Sequence, residues 1–533
     1  KRNKMTYWNV FFLGLFLPLT IIIYNMVKQK NRWKVLLIAS YIFFWSISGK
    51  LIIYLLFTTF AMHYLGLWIT SIQNEKEEAL KLIEKDKKKE IKQIYENKKR
   101  KIVIFAVLAQ LGILIVLKYS TFLGTNINTL LNMLNIPIQL KITNYLIPIG
   151  ISFYTLQAIS YMMDVYKGKI KADKNLGKLA LYISFFPQIM EGPICRYSDT
   201  ADQLWEGKKV TYESLTSGLK RILYGLMKKM VIADRLNPFV MNIFTYYSEV
   251  DGGVIALGMI LYTLQLYMDF SGTMDIALGI GEIFGVKMPE NFKQPFFSKT
   301  ISEFWTRWHI TLGTFLRDYV YYPVSLTDKC KKLTTKLRKK IGNYYGPLIT
   351  STIALFCVWI CNGIWHGSAW NYIFFGMYHF VFILMGRIIE PIVKKLQTKL
   401  HINPNNFAYK GMQIVRTTIL VCIGELFFAA YGLKAGIQMF SKMITDFSFK
   451  SIINGNILNL GIDIHDFIIV GIATVVIFII SILKERKIDI RQSLAKKNIV
   501  IRWTVYYVLI LSIIIFGAYG VGYIPVNPMY AQF

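Results

Sequence analysis

Two histidines lie inside apolar, aromatic-rich sequence and are the side chains best suited to chemistry. His366 stands in a segment rich in tryptophan and glycine, 359–370, and His309 stands in a second aromatic segment. Imidazole is the side chain that most readily accepts a proton near neutral pH. A histidine on an apolar face is usually only packed there, but Gly363 and Gly367 leave space for a substrate beside His366. His366 is therefore the candidate general base.

The segment around His309 mixes aromatic and charged residues and is not a simple membrane span. Written as one helix, it puts four side chains on a single face: Trp305, His309, Leu312 and Leu316. Glu303 and Arg307 are four residues apart and form a pair on another face. Polar side chains at membrane depth need water or protein partners, so we expect a re-entrant or cavity-lining helix.

Two aspartates, Asp269 and Asp275, stand in a long apolar run that also contains several glycines, among them Gly272. Ionisable groups at membrane depth are costly and often mark a functional site. The two carboxylates are six residues apart, about 240° around a helix, so they are a poor pair for relaying a cation. A structural role, in which each binds neighbouring backbone or helices, is the competing interpretation. The glycines allow close helix approach or a broken helix.

Several other chemistries find no support in the sequence. His366 and His379 are about 220° apart on a helix and cannot share a metal ion from one face, and no zinc-ligand motif is present. The remaining histidines, His63, His379, His401 and His465, look incidental. The chain has five cysteines, an odd number, and we interpret them as small buried side chains. Phosphate-binding loops, a dinucleotide fingerprint and a serine-hydrolase elbow are also missing from the sequence.

The composition is that of a polytopic membrane protein. Of 533 residues 54% are hydrophobic and only 17% are charged, and the mean hydropathy is +0.40. Apolar runs along the whole chain predict an all-α integral membrane fold with about 11–13 membrane helices plus re-entrant or cavity-lining segments. Predicted spans fall at 7–27, 35–72 (two helices with a turn at Ser48–Lys50), 102–122, 142–166, 176–194, 214–248, 253–286, 343–362, 368–390, 412–433, 466–484 and 502–522. We expect a single membrane domain over residues 1–533.

The net charge of +31 lies mostly in short stretches between apolar runs. Such stretches favour the cytosolic side of a membrane, so they indicate contact with anionic lipid rather than with nucleic acid. The charged segment 74–101 is predicted to be a cytosolic amphipathic helix near the membrane surface. Basic connectors also occur at 329–340, 394–399 and 484–497. The protein is expected in the cytoplasmic membrane of a cell.

Short phrases that contain these residues follow one another along the chain. They are Pro148–Tyr154, Tyr161–Tyr166, Ser184–Gln188, Glu191–Ile194 with Arg196, Asp269–Gly272, Pro289–Phe292, Phe304–His309, Leu316–Tyr319 and Trp365–Gly367. In this order the phrases resemble the membrane-bound O-acyltransferase (MBOAT) superfamily. Within it, the chain is most similar to the bacterial branch that O-acetylates alginate and peptidoglycan. The resemblance is dense over 100–390, the expected catalytic core region, and extends to an aromatic tail at 527–533.

The resemblance implies a membrane enzyme that moves an acyl group, most simply acetyl, from a cytosolic thioester to an exported polysaccharide or peptidoglycan. The family's invariant-type histidine falls on His366 and its second histidine on His309; many eukaryotic members have asparagine at the second position. Substrate-binding roles are expected for Asp269, Ser271, Trp305, Arg307, Arg317, Asp318, Asn362 and Trp365.

No bound cofactor or metal is expected. The expected acyl donor is acetyl-CoA or an acyl-carrier thioester, and the acceptor is an exported glycan. Membrane lipid and a surface acetyltransferase of the SGNH type are the expected partners.

Three alternatives remain open, one of which is a purely structural scaffold for an acyltransferase complex. Related proteins that D-alanylate teichoic acid share the two histidines, so the motif does not decide the acyl group. A transporter or flippase of a lipid-linked glycan would also have many spans and intramembrane charges, but it would not need the histidines.

Overall fold

The structure, a computed structural model, describes residues 5–82, 84–519 and 526. These residues are mostly helical, and no β-strand occurs among them, which confirms the all-α prediction. The α-helices of the described residues, α1 to α23 in chain order, are Leu17–Met26, Gln29–Ser48, Ile52–Leu82, Lys88–Leu114, Ser120–Met133, Ile151–Tyr166, Leu176–Ser184, Phe186–Ile189, Tyr197–Glu206, Tyr212–Leu226, Asp234–Thr245, Gly252–Ile283, Ile301–Arg307, Ile310–Leu316, Tyr322–Ser325, Asp328–His366, Trp370–Lys399, Phe407–Ala429, Leu433–Thr445, Lys450–Ile453, Ile464–Glu485, Ile490–Ala495 and Ile499–Phe516.

Shorter helical turns join several of these helices. The π-helical turns are Phe12–Phe16, Ile115–Tyr119, Met227–Ala233 and Arg317–Tyr321, and the 3-10 turns are Gly49–Leu51, Lys85–Lys87, Pro295–Phe297 and Asn456–Asn459. The turn predicted at Ser48–Lys50 is the 3-10 turn between α2 and α3, where Gly49 has a positive φ of 55°.

Eight helical stretches of the described residues are long and apolar enough to cross a membrane. They are Gln29–Leu82, Lys85–Met133, Gly252–Ile283, Asp328–His366, Trp370–Lys399, Phe407–Ala429, Ile464–Glu485 and Ile499–Phe516. A shorter apolar helix covers Phe12–Met26. The polytopic prediction is confirmed, and the number of long apolar stretches is smaller than the 11–13 membrane helices that the sequence predicted.

Part of that difference comes from apolar runs that form short helices. The run 142–166 yields only α6, of 16 residues, and 176–194 yields α7 and α8, of nine and four residues. The run 214–248 is interrupted by the π-helical turn Met227–Ala233. Nearly every side chain of α6 is buried inside the protein, so its apolar character serves protein packing rather than lipid contact.

The charged segment 74–101 forms the ends of two helices instead of one surface helix. Helix α3 continues to Leu82 and α4 begins at Lys88, and the two helices pack together. Glu96 forms ion pairs with Lys76, at 2.8 Å, and with Lys99, at 3.1 Å. Lys76 and Lys99 are buried and share Glu96, so these charges join the two helices instead of lying along the membrane surface. The cytosolic location stays a prediction.

The chain divides into two compact units. The first comprises the described residues of Lys1–Leu219 and Ala277–Pro289, and the second those of Lys220–Ile276 and Glu290–Met529. Both candidate histidines and all of the predicted substrate-binding residues belong to the second unit. The predicted tail, 527–533, lies outside the described residues.

Within the second unit, α12 and α16 to α18 are the long helices that surround the histidines. Gly272 of α12 meets Gly225 of α10 so closely that a Cβ on Gly272 would lie 2.8 Å from the Gly225 carbonyl oxygen, as the predicted role of the glycines requires. Helix α16 bends at Gly342, whose φ is 88°, and its basic first part folds back so that the Thr334 and Thr350 hydroxyls meet at 2.7 Å.

Candidate active site

His309 stands at a break between two short helices. Helix α13 ends at Arg307, Trp308 is extended, and His309 has φ 47° and ψ 49° in the left-handed region before α14 begins. The predicted single face that joins Trp305, His309 and Leu316 is therefore wrong, because the helix does not run through His309.

The loop that precedes α13 holds this break in place. Asn291 is buried, its carbonyl oxygen accepts from the Ile310 N–H at 3.1 Å, and its Oδ1 accepts from the Thr311 N–H at 3.0 Å. Phe292 and Trp308 form an isolated antiparallel bridge. Backbone groups at the ends of α13 and α14 thus find partners in a neighbouring loop instead of in a continuous helix.

The imidazole of His309 is buried among aromatic rings. Its ring centroid lies 4.8 Å from that of Phe270 and 5.5 Å from that of Trp365, edge-on in both cases. Burial lowers the pKa of His309 well below its ordinary value, because an imidazolium ion is poorly solvated there. His309 is consequently neutral at physiological pH and can donate or accept one hydrogen bond at each nitrogen.

His366 is the last residue of α16 and is also buried. Phe428 of α18 lies 5.1 Å from its ring and Phe375 of α17 lies 5.8 Å away, both nearly perpendicular to it. Trp365 contacts both histidines, since its ring is 5.0 Å from that of His366 and 5.5 Å from that of His309. The rings of the two predicted catalytic histidines therefore both contact one tryptophan.

The glycines beside His366 serve packing rather than substrate space. A Cβ on Gly367 would lie 2.2 Å from the Tyr372 ring, and a Cβ on Gly363 would lie 2.6 Å from the Tyr372 carbonyl oxygen. The first turn of α17 thus occupies the room that the sequence assigned to substrate. Both glycines are needed because α16 and α17 approach closely just where the chain turns between them.

Asn362 lies one turn before His366 on α16, and its side chain is buried. Among the described residues, no hydrogen-bond donor reaches its Oδ1 atom. An unsatisfied buried oxygen is rare in folded proteins and requires an explanation such as a ligand or an ordered water. Of the predicted substrate-binding residues, Trp365 and Asn362 are those that the structure brings to His366.

Trp305 lies against a third histidine that the sequence treated as incidental. His379 of α17 is completely buried, with its ring 4.9 Å from Trp305, 5.5 Å from Trp359 and 4.7 Å from Phe375. Because Phe375 also contacts His366, a continuous layer of aromatic rings connects Trp305 to the candidate base. Trp305 is therefore one of the rings that form this layer.

Asp269 and Ser271 belong to a buried network of ion pairs on another face of α12. Lys229 binds Asp269 and Asp234, each at 2.7 Å, and Lys229 also donates to the carbonyl oxygen of Val526. Lys228 donates to Ser271 at 2.9 Å. Between the two predicted residues, Phe270 faces His309 instead.

Asp275 belongs to the same network and binds two cations. Lys228 lies 2.6 Å from one of its oxygens and Arg221 lies 2.9 Å from the other. The carboxylates of α12 thus have structural partners, which is the interpretation that competed with a cation relay.

The remaining predicted residues, Arg307, Arg317 and Asp318, lie in more exposed surroundings. Arg307 binds Glu303 at 2.7 Å, as predicted from their spacing, and it also binds Glu485 at 2.9 Å. Arg317 binds Asp318 at 3.0 Å on a largely exposed turn that follows α14. Among the described residues, the side chains of Arg307 and Arg317 make no hydrogen bond to either histidine.

Sequence reasoning missed the aromatic residues Phe270, Phe375 and Phe428, and the cations Lys228 and Lys229. The two lysines could have been noticed, since they interrupt an apolar run at 214–248 just as the aspartates of α12 interrupt theirs. The phenylalanines are three among 36, and nothing in their spacing distinguishes them. Within the described part of the chain, no group of three His, Cys, Asp or Glu residues is placed to hold a metal ion.

The sequence of the chain matches a known protein family and several named proteins. Residues 170–337, which include His309, match the sequence profile of "MBOAT, membrane-bound O-acyltransferase family". A Pseudomonas syringae pv. tomato protein named "Probable alginate O-acetylase AlgI" is 31% identical over 435 residues, 81% of this chain and 74% of its own.

Two further relatives carry different names. The "Peptidoglycan O-acetyltransferase" of Helicobacter pylori is 29% identical over 367 residues, 64% of each chain. The "Teichoic acid D-alanyltransferase" of Bacillus subtilis is 33% identical over 285 residues, 53% of this chain and 68% of its own. The chain therefore belongs to the membrane-bound O-acyltransferase family and is a multi-pass bacterial membrane acyltransferase.

Proposed function

We propose that this enzyme transfers an acetyl group from a cytosolic thioester, acetyl-CoA, to a hydroxyl of an exported polysaccharide or peptidoglycan, with His366 as the general base. The observation that carries the proposal is the convergence of His309 and His366 on Trp365. The unsatisfied Asn362 Oδ1 atom, one helical turn from His366, supports a ligand at the same place.

The reaction needs a base because an alcohol has a pKa far above 7 and attacks a thioester slowly while it keeps its proton. In the proposed step the acceptor oxygen forms a bond to the acetyl carbonyl carbon as His366 takes the hydroxyl proton. The carbon–sulfur bond then breaks, and the departing thiolate receives the proton from His366. The products are an O-acetyl ester and a free thiol, and His366 is regenerated.

His309 is proposed to polarise the acetyl carbonyl or to orient the acceptor. Its neutral imidazole can donate one hydrogen bond, as the developing negative charge on the carbonyl oxygen requires. Asn362 is proposed to accept a hydrogen bond from the substrate. Aromatic packing around both histidines supports the exclusion of water, which would otherwise hydrolyse the donor.

Acetyl is favoured over D-alanyl by the extent of the similarity. The match to the protein named as an alginate O-acetylase covers 81% of this chain, whereas the match to the teichoic acid D-alanyltransferase covers 53%. We further propose that the donor enters from the cytosol, that the acceptor lies outside, and that an SGNH-type surface acetyltransferase completes delivery. These three statements rest on the family resemblance and on the predicted cytosolic basic loops.

The test is the acetyl content of the cell-surface glycan in a deletion strain complemented with the wild type, His366→Ala, His366→Gln or His465→Ala. His465 is largely exposed, so its variant is the matched control. Both His366 variants should lose acetylation at unchanged membrane levels, since glutamine keeps a hydrogen bond but cannot carry a proton. Normal acetylation by His366→Gln would remove the general-base role.

A second assay separates the alternatives. The purified wild type is given acetyl-labelled CoA or a D-alanyl carrier thioester, and label on a glycan acceptor is measured. Transfer of acetyl alone is expected. Transfer of D-alanine alone would identify the teichoic-acid alternative, and movement of unmodified lipid-linked glycan without any transfer would identify a transporter.

A further inference from the structure

An arginine on a long apolar helix borders an open groove in the second unit. Helix α18, Phe407–Ala429, is one of the eight candidate spans, and Arg416 lies on it with an exposed side chain. The groove has a volume of about 440 Å³, and its lining is almost wholly apolar. Its lining residues are Met412, Val415, Arg416, Ile419 and Leu420, which are spaced three and four apart on one helix face.

The guanidinium of Arg416 has donors left for a ligand. Its Nη2 atom donates to the carbonyl oxygen of Lys299 at 2.8 Å. Among the described residues, Arg416 donates this hydrogen bond, and no carboxylate lies within ion-pair distance of it. A guanidinium presents five N–H donors in a planar fork that suits a phosphate. A cation on a lipid-facing helix is costly unless an anion or headgroup meets it.

The depth of Arg416 also suits a lipid headgroup. Nine residues separate it from the start of α18, which corresponds to about 14 Å of helix. The polar residues Tyr409, Lys410 and Gln413 precede Arg416, so these first turns of α18 suit the headgroup region, and the long side chain can extend back along them to the phosphates. The basic connector 394–399 precedes α18, which favours the cytosolic leaflet, where acidic lipids are abundant.

We propose that this groove binds one acidic phospholipid of the membrane, with the phosphate on Arg416 and an acyl chain along Val415 and Ile419. The apolar lining fits the chain and the unpaired donors of Arg416 fit the phosphate. This inference goes beyond the acyl transfer proposed above and does not depend on it.

A lipid at this position would contact the elements that carry the active-site wall. The Lys299 carbonyl that Arg416 binds lies next to Thr300, which caps the start of α13. Leu420 packs against the cluster of Ile301 and Trp359, to which Trp305 also belongs. The bound lipid therefore stabilises the segment that leads to His309.

The test is native mass spectrometry of the full-length protein, purified in mild detergent and supplied with phosphatidylglycerol or phosphatidylcholine. The wild type should retain one phosphatidylglycerol under conditions that remove phosphatidylcholine. Arg416→Gln should weaken that retention about tenfold. Lys410→Gln, which removes a cation from another face of α18, should behave as the wild type.

A second variant covers the case in which Arg416→Gln fails to fold. Ile419→Trp fills the groove and leaves the guanidinium intact, so it should also lose phosphatidylglycerol. Equal retention of the two lipids by the wild type, or full retention by Ile419→Trp or Arg416→Gln, would overturn the proposal. Co-purification of a lipid-linked sugar instead of a phospholipid would overturn it as well.

Discussion

The second unit contains two groups of buried ionisable side chains that are built in opposite ways. In the ion-pair network of Lys228, Lys229, Asp234, Asp269 and Asp275, every carboxylate named has a cation within 2.7 Å. The histidine pair, His309 and His366, is instead surrounded by aromatic rings. Both groups interrupt apolar sequence, and they differ in what the neighbouring helices bring to them.

This difference separates stability from chemistry. A buried carboxylate with a fixed cation has its charge balanced by that partner. A neutral imidazole packed on aromatic rings can still gain and lose a proton when a substrate arrives. Charge inside apolar sequence is thus a weak sign of catalysis until its partners are known.

The largest effect is expected at His366. His366→Ala should lower acyl transfer by roughly 10⁴-fold or more, because a base and its positioning are lost together. Transfer of label from acetyl-CoA, measured on protein whose folding is verified by size-exclusion chromatography, checks this outcome. If the variant keeps a tenth of wild-type turnover, the histidine pair is a packing feature like the rest of the aromatic layer.

Lys229→Met should be the most damaging change in the ion-pair network. It leaves Asp234 and Asp269 buried without their shared cation, at a cost of about 3–5 kcal/mol in the free energy of unfolding. Thermal unfolding in detergent measures it, with Lys442→Met, at a more exposed ion pair with Asp446, as the control.

Asp269→Asn tests whether Asp269 serves the ion-pair network or the active site, because Asp269 was predicted to bind substrate. Activity that falls only in proportion to folded protein would assign Asp269 to stability. A loss of turnover in fully folded protein would return it to the active site.

His309→Ala should lower turnover by roughly 10²- to 10⁴-fold. Since burial lowers the pKa of His309, its imidazole is neutral throughout pH 5–8 and does not titrate there. The residual activity of the His309→Ala variant should therefore fall on the acidic side at the same pH as the activity of the wild type. A pH–rate profile tests this, and an acidic limb that moves when His309 is replaced would make His309 the titrating base.

The smallest effect is expected for Arg307→Gln. Its ion pairs with Glu303 and Glu485 are partly exposed, and such pairs contribute about 0–1 kcal/mol each. Turnover should change by less than about fivefold, and the effect should shrink further in high salt. A hundredfold loss at wild-type stability would instead place Arg307 with the histidine pair.

Much of this architecture could be predicted, because membrane insertion demands long apolar helices that are visible in the sequence. The all-α class, the turn at Gly49 and the close approach at Gly272 follow from hydropathy and glycine alone. The number of membrane crossings is harder to derive, since a helix such as α6 is apolar for contact with protein rather than lipid. Hydropathy does not distinguish these two surroundings.

The histidines of the candidate site were proposed from the sequence, and most of the aromatic rings around them were not. His309, His366, Trp365 and Asn362 stood out by residue type and motif. The break at His309 did not, because its cause is the buried Asn291 in a separate loop. The sequence also did not indicate which side of α12 faces the histidines, since only the packing of Phe270 decides it.

The left-handed backbone at position 309 restricts which amino acids can evolve there. Among residues with a side chain, histidine, asparagine and aspartate enter this region most readily, whereas alanine is strained by roughly 1–2 kcal/mol. Asparagine and histidine are also the two residue types that the family resemblance associates with this position. Backbone geometry therefore acts as a filter on its own, and His309→Asn would report on the loss of the imidazole with less backbone strain than His309→Ala.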